Sequence, residues 1–287
     1  MLQRIVLRDP AIAQWLTFSD PVDVLIAQRP ADVLPVLRAA ERRVKNENLY
    51  AAGFLTYEAA SGLDSALETH PAGALPLVCF GLFAEGRISD EPDLATAGPM
   101  GPADWRMVEQ REIYVRKIEK IKRRIAAGDT YQINYTVRQE AGQVEDAIAL
   151  FKNIAADAPY GAYIDCGDHI IVSASPELFF RRTDDRLICK PMKGTSHRGL
   201  TTTEDIALRE TLRDSTKNRA ENVMILDMIR NDMGRVAENG TVDVTSLYDV
   251  EKYPTVWQMT STVVARTKAD VSDILAALFP SASVTGA

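Results

Sequence analysis

Four short apolar-rich segments fall within thirty residues: Gly161–Asp165, His169–Ala174, Leu178–Arg182 and Arg186–Lys190. No helix fits between them, so neighbouring segments pair as antiparallel strands, with Thr183-Asp184-Asp185 turning the last two into a hairpin. Helical patterns surround this block at Pro30–Asn46, Thr203–Ser215, Arg219–Arg230 and Val271–Leu278. Further strands are expected at Leu75–Phe83, Thr241–Val250 and Thr260–Arg266. Tyr114, Ile118, Ile121 and Ile125 recur at spacings of four, three and four, giving one apolar helix face that Gly128 then closes. Antiparallel strands mixed with helices define an α+β chain.

The stretch from Glu85 to Asp104 is rich in Gly, Pro and acidic residues and reads as a connector. The expected organisation is an amino-terminal section over 1–85, a connector over 86–109 and a second section over 110–287. With 287 residues and 46% hydrophobic content, the chain buries a sizeable core without staples. Its net charge of −7 argues against a general nucleic-acid binder or an acidic-membrane binder. Cys79, Cys166 and Cys189 are odd in number and lack CxxC spacing, and His70, His169 and His197 are scattered. Neither a disulfide framework nor a zinc site is expected. The start, MLQRIVLRDPAIAQW, has no long apolar run. The expectation is a reduced, cytoplasmic protein without a membrane anchor.

Three segments carry chemistry. In IIVSASPELFF, Pro176 interrupts a strand pair and marks an edge or bulge beside Glu177. That carboxylate either faces water or is aimed into a cavity, where desolvation would make it a useful acid. In Lys190-Pro191-Met192-Lys193-Gly194-Thr195-Ser196-His197-Arg198-Gly199, cations surround a Gly-Thr turn whose N–H groups could cradle an anion. A lysine attacks carbon only as the neutral amine. From an ordinary pKa near 10.4, this requires lowering by roughly three units, about 4 kcal/mol. The alternative is a solvated basic loop. In KNRAENVMILDMIRND, Glu221 stands at the edge of an apolar helix face, either as a ligand for a hard cation or as an ion-pair partner of Lys217 or Arg219. A fourth segment, Asp129 to Tyr135, alternates Tyr131, Ile133 and Tyr135 with Gln132 and Asn134, and predicts a strand with one polar face.

Taken in order, AAGDTYQINYTVR, SASPELFF, KPMKGTSHRG, DSTKNRAENVMILDMIRNDMGRV, VEKYPTVWQMTSTV and LFPSASVTGA resemble the chorismate-binding enzymes. That family includes anthranilate synthase component I, aminodeoxychorismate synthase component I and isochorismate synthase. The matches run from Ala126 to Ala287, and LTYEAASGLD upstream matches more weakly. The resemblance implies the anthranilate-synthase-component-I-like fold, antiparallel sheets packed as a β-sandwich with helices outside, and makes 110–287 the chorismate-binding section. Lys193 stands where the aminodeoxychorismate branch carries lysine and anthranilate synthases typically carry alanine. Gln132 stands where the isochorismate branch uses a lysine base. Both positions point to an aminodeoxychorismate synthase component I.

The implied reaction adds Lys193 to the ring of chorismate while Glu177 protonates the departing hydroxyl. Ammonia from a glutamine amidotransferase partner then displaces the lysine to give 4-amino-4-deoxychorismate, for p-aminobenzoate and folate biosynthesis. Gly194, Thr195 and Gln132 are the implied substrate-binding residues, and Glu221 is an implied ligand of Mg2+. Rival readings are an anthranilate or isochorismate synthase, or a truncated subunit that only binds an amidotransferase. Gln258 occupies a position that is often histidine in the family, and no tryptophan-feedback motif is evident, so no tryptophan inhibition is expected. The sequence ends at Ser283-Val284-Thr285-Gly286-Ala287, within a motif that in the family continues as GAPK. The family's further metal-binding glutamates lie past that point, so weak or absent activity is expected of these residues alone.

Overall fold

The computed structural model describes residues 2–95, 98, 104–142, 144, 146–155 and 157–281. The chain begins with β1 (Arg4–Asp9), β2 (Gln14–Ser19), β3 (Asp23–Ala27), α1 (Pro30–Glu47) and β4 (Tyr50–Leu55). A 3-10 turn (Tyr57–Gly62) leads to β5 (Val78–Phe83), β6 (Arg87–Ser89), β7 (Arg106–Met107) and α2 (Arg111–Ala126). Then come β8 (Gln139–Glu140), α3 (Ala147–Ile154), β9 (Tyr160–Asp165), β10 (Ile170–Ser175), β11 (Leu178–Thr183) and β12 (Arg186–Lys190). The last elements are β13 (Met192–His197), α4 (Thr202–Asp214), α5 (Thr216–Gly234), β14 (Asp243–Lys252), β15 (Val256–Arg266) and α6 (Val271–Leu278).

Every strand pairing among the described residues is antiparallel. The first sheet has the order β10-β9-β1-β2-β6 and is buried on both faces near its centre. Successive strand residues point to opposite faces. Ile5 and Ile164 therefore join Phe18 and Phe83 against the β3-β5-β4 sheet, while Val6, Trp15 and Tyr163 pack with Phe151 of α3. The far face of β3-β5-β4 rests on Val33 and Leu37 of α1 and on Leu275 of α6. Sheet packs on sheet, with helices outside, as the α+β reading expects.

The second large sheet carries the candidate site. β15 runs through its middle, flanked on one edge by β14 and on the other by β12 and β13 placed end to end. Leu187, Cys189, Val263 and Ala265 of this sheet bury against Ile225, Leu226, Ile229 and Met233 of α5 and Ile274 and Leu278 of α6. The hairpin between β11 and β12 turns at Asp184, whose φ of 53° is left-handed, a conformation Asp tolerates.

Three expectations are corrected. The segment from Tyr131 to Tyr135 forms no strand, because among the described residues its alternation finds no neighbouring strand to pair with. Paired β8 begins only at Gln139, on β7. The Gly-Thr turn is instead the middle of strand β13, paired with β15 more than sixty residues later. The apolar face of α2 buries no residue: Tyr114 and Ile125 are each 39% exposed. Helical periodicity reports that a face is apolar, not that something covers it. Helix α3 was not anticipated, although Asp146 caps it by accepting from the N–H groups of Ile148 and Ala149. The tail of the final motif, at 282–287, lies outside the described residues.

Candidate functional site

Between β10 and β11 the chain leaves the ladder for Pro176 and Glu177. Pro176 has no N–H to give to a neighbouring strand. The hydroxyl of Ser175 accepts the N–H of Glu177 at 3.2 Å and folds the step tightly. The Glu177 carboxylate turns toward the start of β13, where Oε1 accepts the backbone N–H of Met192 at 3.1 Å. Burial pushes the Glu177 carboxyl above its ordinary value, against the opposing pull of the Met192 N–H and the Lys193 side chain.

Lys193 is the residue after that donor. The ladder between β13 and β15 shifts register between Met192 and Thr195, so Lys193 and Gly194 form a β-bulge. Gly194 has φ +101°. A Cβ there would also stand 3.0 Å from Asn218 Cβ and 3.3 Å from Leu212 Cδ1. The bulge thus aims a half-buried lysine from a strand that would otherwise point it by simple alternation. Lys193 and Glu177, more than a dozen residues apart in sequence, meet at one end of the sheet and within electrostatic reach of each other.

The remaining sequence-derived residues divide. Thr195 lies opposite Gln258, and its hydroxyl donates to Gln258 Oε1 at 2.7 Å. Gly194 shapes the bulge. Gln132 donates to Asn134 Oδ1 at 3.1 Å, and its carbonyl accepts from Thr130. These contacts lie within its own segment. Glu221 lies on α5, one turn beyond Asn218, with Lys217 at 3.9 Å across an exposed i,i+4 step. The buried face of α5 runs through Asn222, Ile225, Leu226, Ile229 and Met233, and Glu221 sits at its margin.

Magnesium takes one or two carboxylates together with waters and substrate oxygens. Glu221 fits one such place, since it is 42% exposed and its partner Lys217 is 83% exposed, a pair easily displaced. Among the described residues no group of three or more His, Cys, Asp or Glu side chains gathers in metal-holding geometry. They therefore supply a partial ligand set.

The partners of two cations in the basic run, Glu251 with Thr260 and Tyr253 around Lys190, and Asp205 against Arg198, were not singled out in the sequence. Lys190, at the end of β12, forms an ion pair with Glu251 of β14. Glu251 Oε1 also accepts the hydroxyl of Thr260 at 3.1 Å. The Tyr253 hydroxyl lies 3.5 Å from both the Pro176 carbonyl and Glu251 Oε2. Arg198 grips Asp205 through two hydrogen bonds, at 2.7 and 2.5 Å, and holds that carboxyl well below its usual range. The basic run from Lys190 to Gly199 is therefore not a solvated loop: two of its cations are paired with carboxylates. The only sequence trace of this was VEKYP, and its link to KPMKG spans some sixty residues.

A half-buried carboxyl thus stands beside a lysine on a bulge, next to the start of a helix bearing a second carboxylate. The chain belongs to the chorismate binding enzyme family, whose pattern matches residues 87–287. It is 40% identical over 205 residues to an aminodeoxychorismate synthase from Streptomyces griseus, covering 69% of this chain and 28% of that protein. It is also 40% identical over 187 residues to aminodeoxychorismate synthase component 1 from Klebsiella aerogenes, covering 64% of this chain and 42% of that protein. Among solved structures, anthranilate synthase component I from Streptococcus pneumoniae superposes with a TM-score of 0.80 at 20% identity, covering 99% of this chain and 74% of that one. The chain thus spans less than half the length of these curated relatives. No described helix is long and apolar enough to cross a membrane.

Proposed function

We propose that this chain carries the catalytic lysine and acid of an aminodeoxychorismate synthase component I. The observation that supports this reading most is the convergence of Lys193 with Glu177, whose carboxyl burial pushes above its ordinary value. Lys193 Nζ forms a bond to C2 of chorismate as the ring double bonds shift and the C4–O bond breaks. Glu177 gives its proton to the departing oxygen, which leaves as water. Ammonia then bonds to C4, the electrons shift back, and the C2–Nζ bond breaks to release the lysine. The sum is chorismate plus ammonia to 4-amino-4-deoxychorismate plus water. Splitting one displacement into two lowers each barrier.

Glu221 would hold Mg2+, which supplies charge neutralisation for a substrate carboxylate. Ammonia would come from a glutamine amidotransferase subunit. The product would feed p-aminobenzoate and folate synthesis in the cytoplasm.

The test is a reaction with chorismate, ammonium and Mg2+, run on this chain and on one extended to the length of the solved relatives. Aminodeoxychorismate as product, with a mass adduct on Lys193 when ammonium is withheld, is expected of the extended chain. Anthranilate or isochorismate as product, with Lys193 never modified, would overturn the reading.

A further inference from the structure

The first sheet, which the proposed reaction does not use, carries two cross-strand pairs side by side. Arg4 of β1 lies opposite Ser19 of β2, and Thr17 of β2 lies opposite Arg87 of β6. Directly opposed residues share a face of the sheet, as do residues two apart on one strand. The four side chains therefore form one patch across three strands. Asp93, a few residues beyond β6, forms ion pairs with both Arg4 and Arg87. All five line a cavity of about 700 Å³, whose rim also carries the exposed carboxylates of Asp20 and Glu85.

Two buried atoms of this patch are left over. Thr17 is only 4% exposed, and neither its Oγ1 nor Arg4 Nε has a hydrogen-bond partner among the described residues. A buried polar group in that condition costs about 1–3 kcal/mol, and such groups are scarce in folded proteins. The two guanidinium groups also carry twice the charge of the carboxylate they share, and more N–H donors than its two oxygens accept.

We propose that Arg4, Thr17, Ser19 and Arg87 form a binding site for a phosphate group, which Asp93 fills as a tethered stand-in until a ligand displaces it. Phosphate supplies what Asp93 lacks: about two negative charges for the two arginines, and a third oxygen for the hydroxyls. The Thr17 hydroxyl and the Arg4 Nε–H are the donors that the entering oxyanion satisfies. Asp20 and Glu85 oppose an anion, but both are exposed and screened by salt, so they weaken the site without closing it. The cavity is larger than one phosphate ion, which leaves room for the body of a small phosphate monoester.

The test is an NMR titration of the 15N-labelled full chain with inorganic phosphate, glycerol 3-phosphate and acetate, at constant ionic strength. Saturable amide shifts centred on Thr17 and Arg87 are expected with either phosphate, and acetate should bind about tenfold more weakly or worse. Tighter binding of the ester assigns the site to a phosphorylated metabolite; otherwise free phosphate is the ligand. Asp93→Asn removes the stand-in and is expected to tighten phosphate binding by about tenfold or more. Thr17→Val keeps the shape, removes the hydroxyl and is expected to weaken binding by about tenfold. The Arg87 side chain is 65% exposed, so Arg87→Gln spares the fold and decides the matter should a more buried variant fail to fold. It is expected to abolish saturation.

Acetate binding as tightly as phosphate, shifts centred on the basic helix α2, or binding unchanged by Asp93→Asn or by Arg87→Gln would each overturn the proposal. None of these readouts involves Lys193, Glu177 or turnover.

Discussion

Gly194 lies against Asn218, so close that a Cβ on the glycine would come within 3.0 Å of Asn218 Cβ. The contact joins the bulge that carries Lys193 to the first turn of α5, the helix that carries Glu221. Asn218 is itself fixed, since Ser215 caps α5 by accepting the Asn218 N–H and also accepts its side-chain amide at 3.0 Å. Proposed nucleophile and proposed metal ligand are thus placed by one backbone-to-helix contact, and the glycine is required twice, for its φ and for its lack of a side chain.

Gly194→Ala should therefore cost about 1–3 kcal/mol of stability, from the left-handed backbone and the crowding together. Urea denaturation of parent and variant measures this. A variant as stable as the parent would mean that the bulge relaxes freely.

Lys193→Ala removes the proposed nucleophile while leaving the bulge glycine in place. Product formation should fall by about a thousandfold or more, the loss of roughly 4 kcal/mol of transition-state stabilisation. The mass adduct at this position should vanish. Retained turnover with an unmodified protein would point to direct attack by ammonia.

Glu177 binds its proton more tightly in the folded chain than in the unfolded one, because burial raises its carboxyl. The stability associated with that proton is present below the ordinary carboxylate range and is lost as pH rises through the raised value. Relative to Glu177→Gln, which cannot ionise, the parent should lose stability as pH rises above the ordinary carboxylate range. Urea midpoints of both proteins followed with rising pH test it, and a constant difference would overturn the expectation.

Glu221→Gln keeps the size of the side chain and removes its charge. The Mg2+ concentration that half-restores product formation after chelation should rise about tenfold or more, in line with loss of one carboxylate ligand. Fold stability without metal should change little, since the Lys217 pair is exposed.

Asn222 is completely buried, takes the Ser261 hydroxyl on its Oδ1 at 2.5 Å and faces the Met259 carbonyl. Asn222→Ala strands those groups and should cost about 1–3 kcal/mol. Ser261→Ala combined with it should be less than additive, as double-mutant denaturation would show.

Much of the strand block was legible because it is local. β11 and β12 lie within a few residues of their predicted limits, and α6 matches Val271–Leu278. The local signals were the apolar runs, the Asp184 turn and the Gly128 stop. Where the reading failed, the deciding partner was remote or missing. The Gly-Thr segment became a strand because β15 pairs with it, and Tyr131–Tyr135 did not because no described strand does.

The sequence by itself determined the residue types, the Gly128 stop of a helix, the proline that interrupts the strand pair and the ordered motifs that mark the family. Those are properties of single positions or short windows. Only the tertiary structure decided that Glu177 is half-buried against the Met192 N–H, that Lys190 is neutralised by Glu251, and that Thr195 is tied to Gln258. Each joins distant strands of one sheet, and a carboxyl's protonation depends on the distances to charges and water that only packing sets.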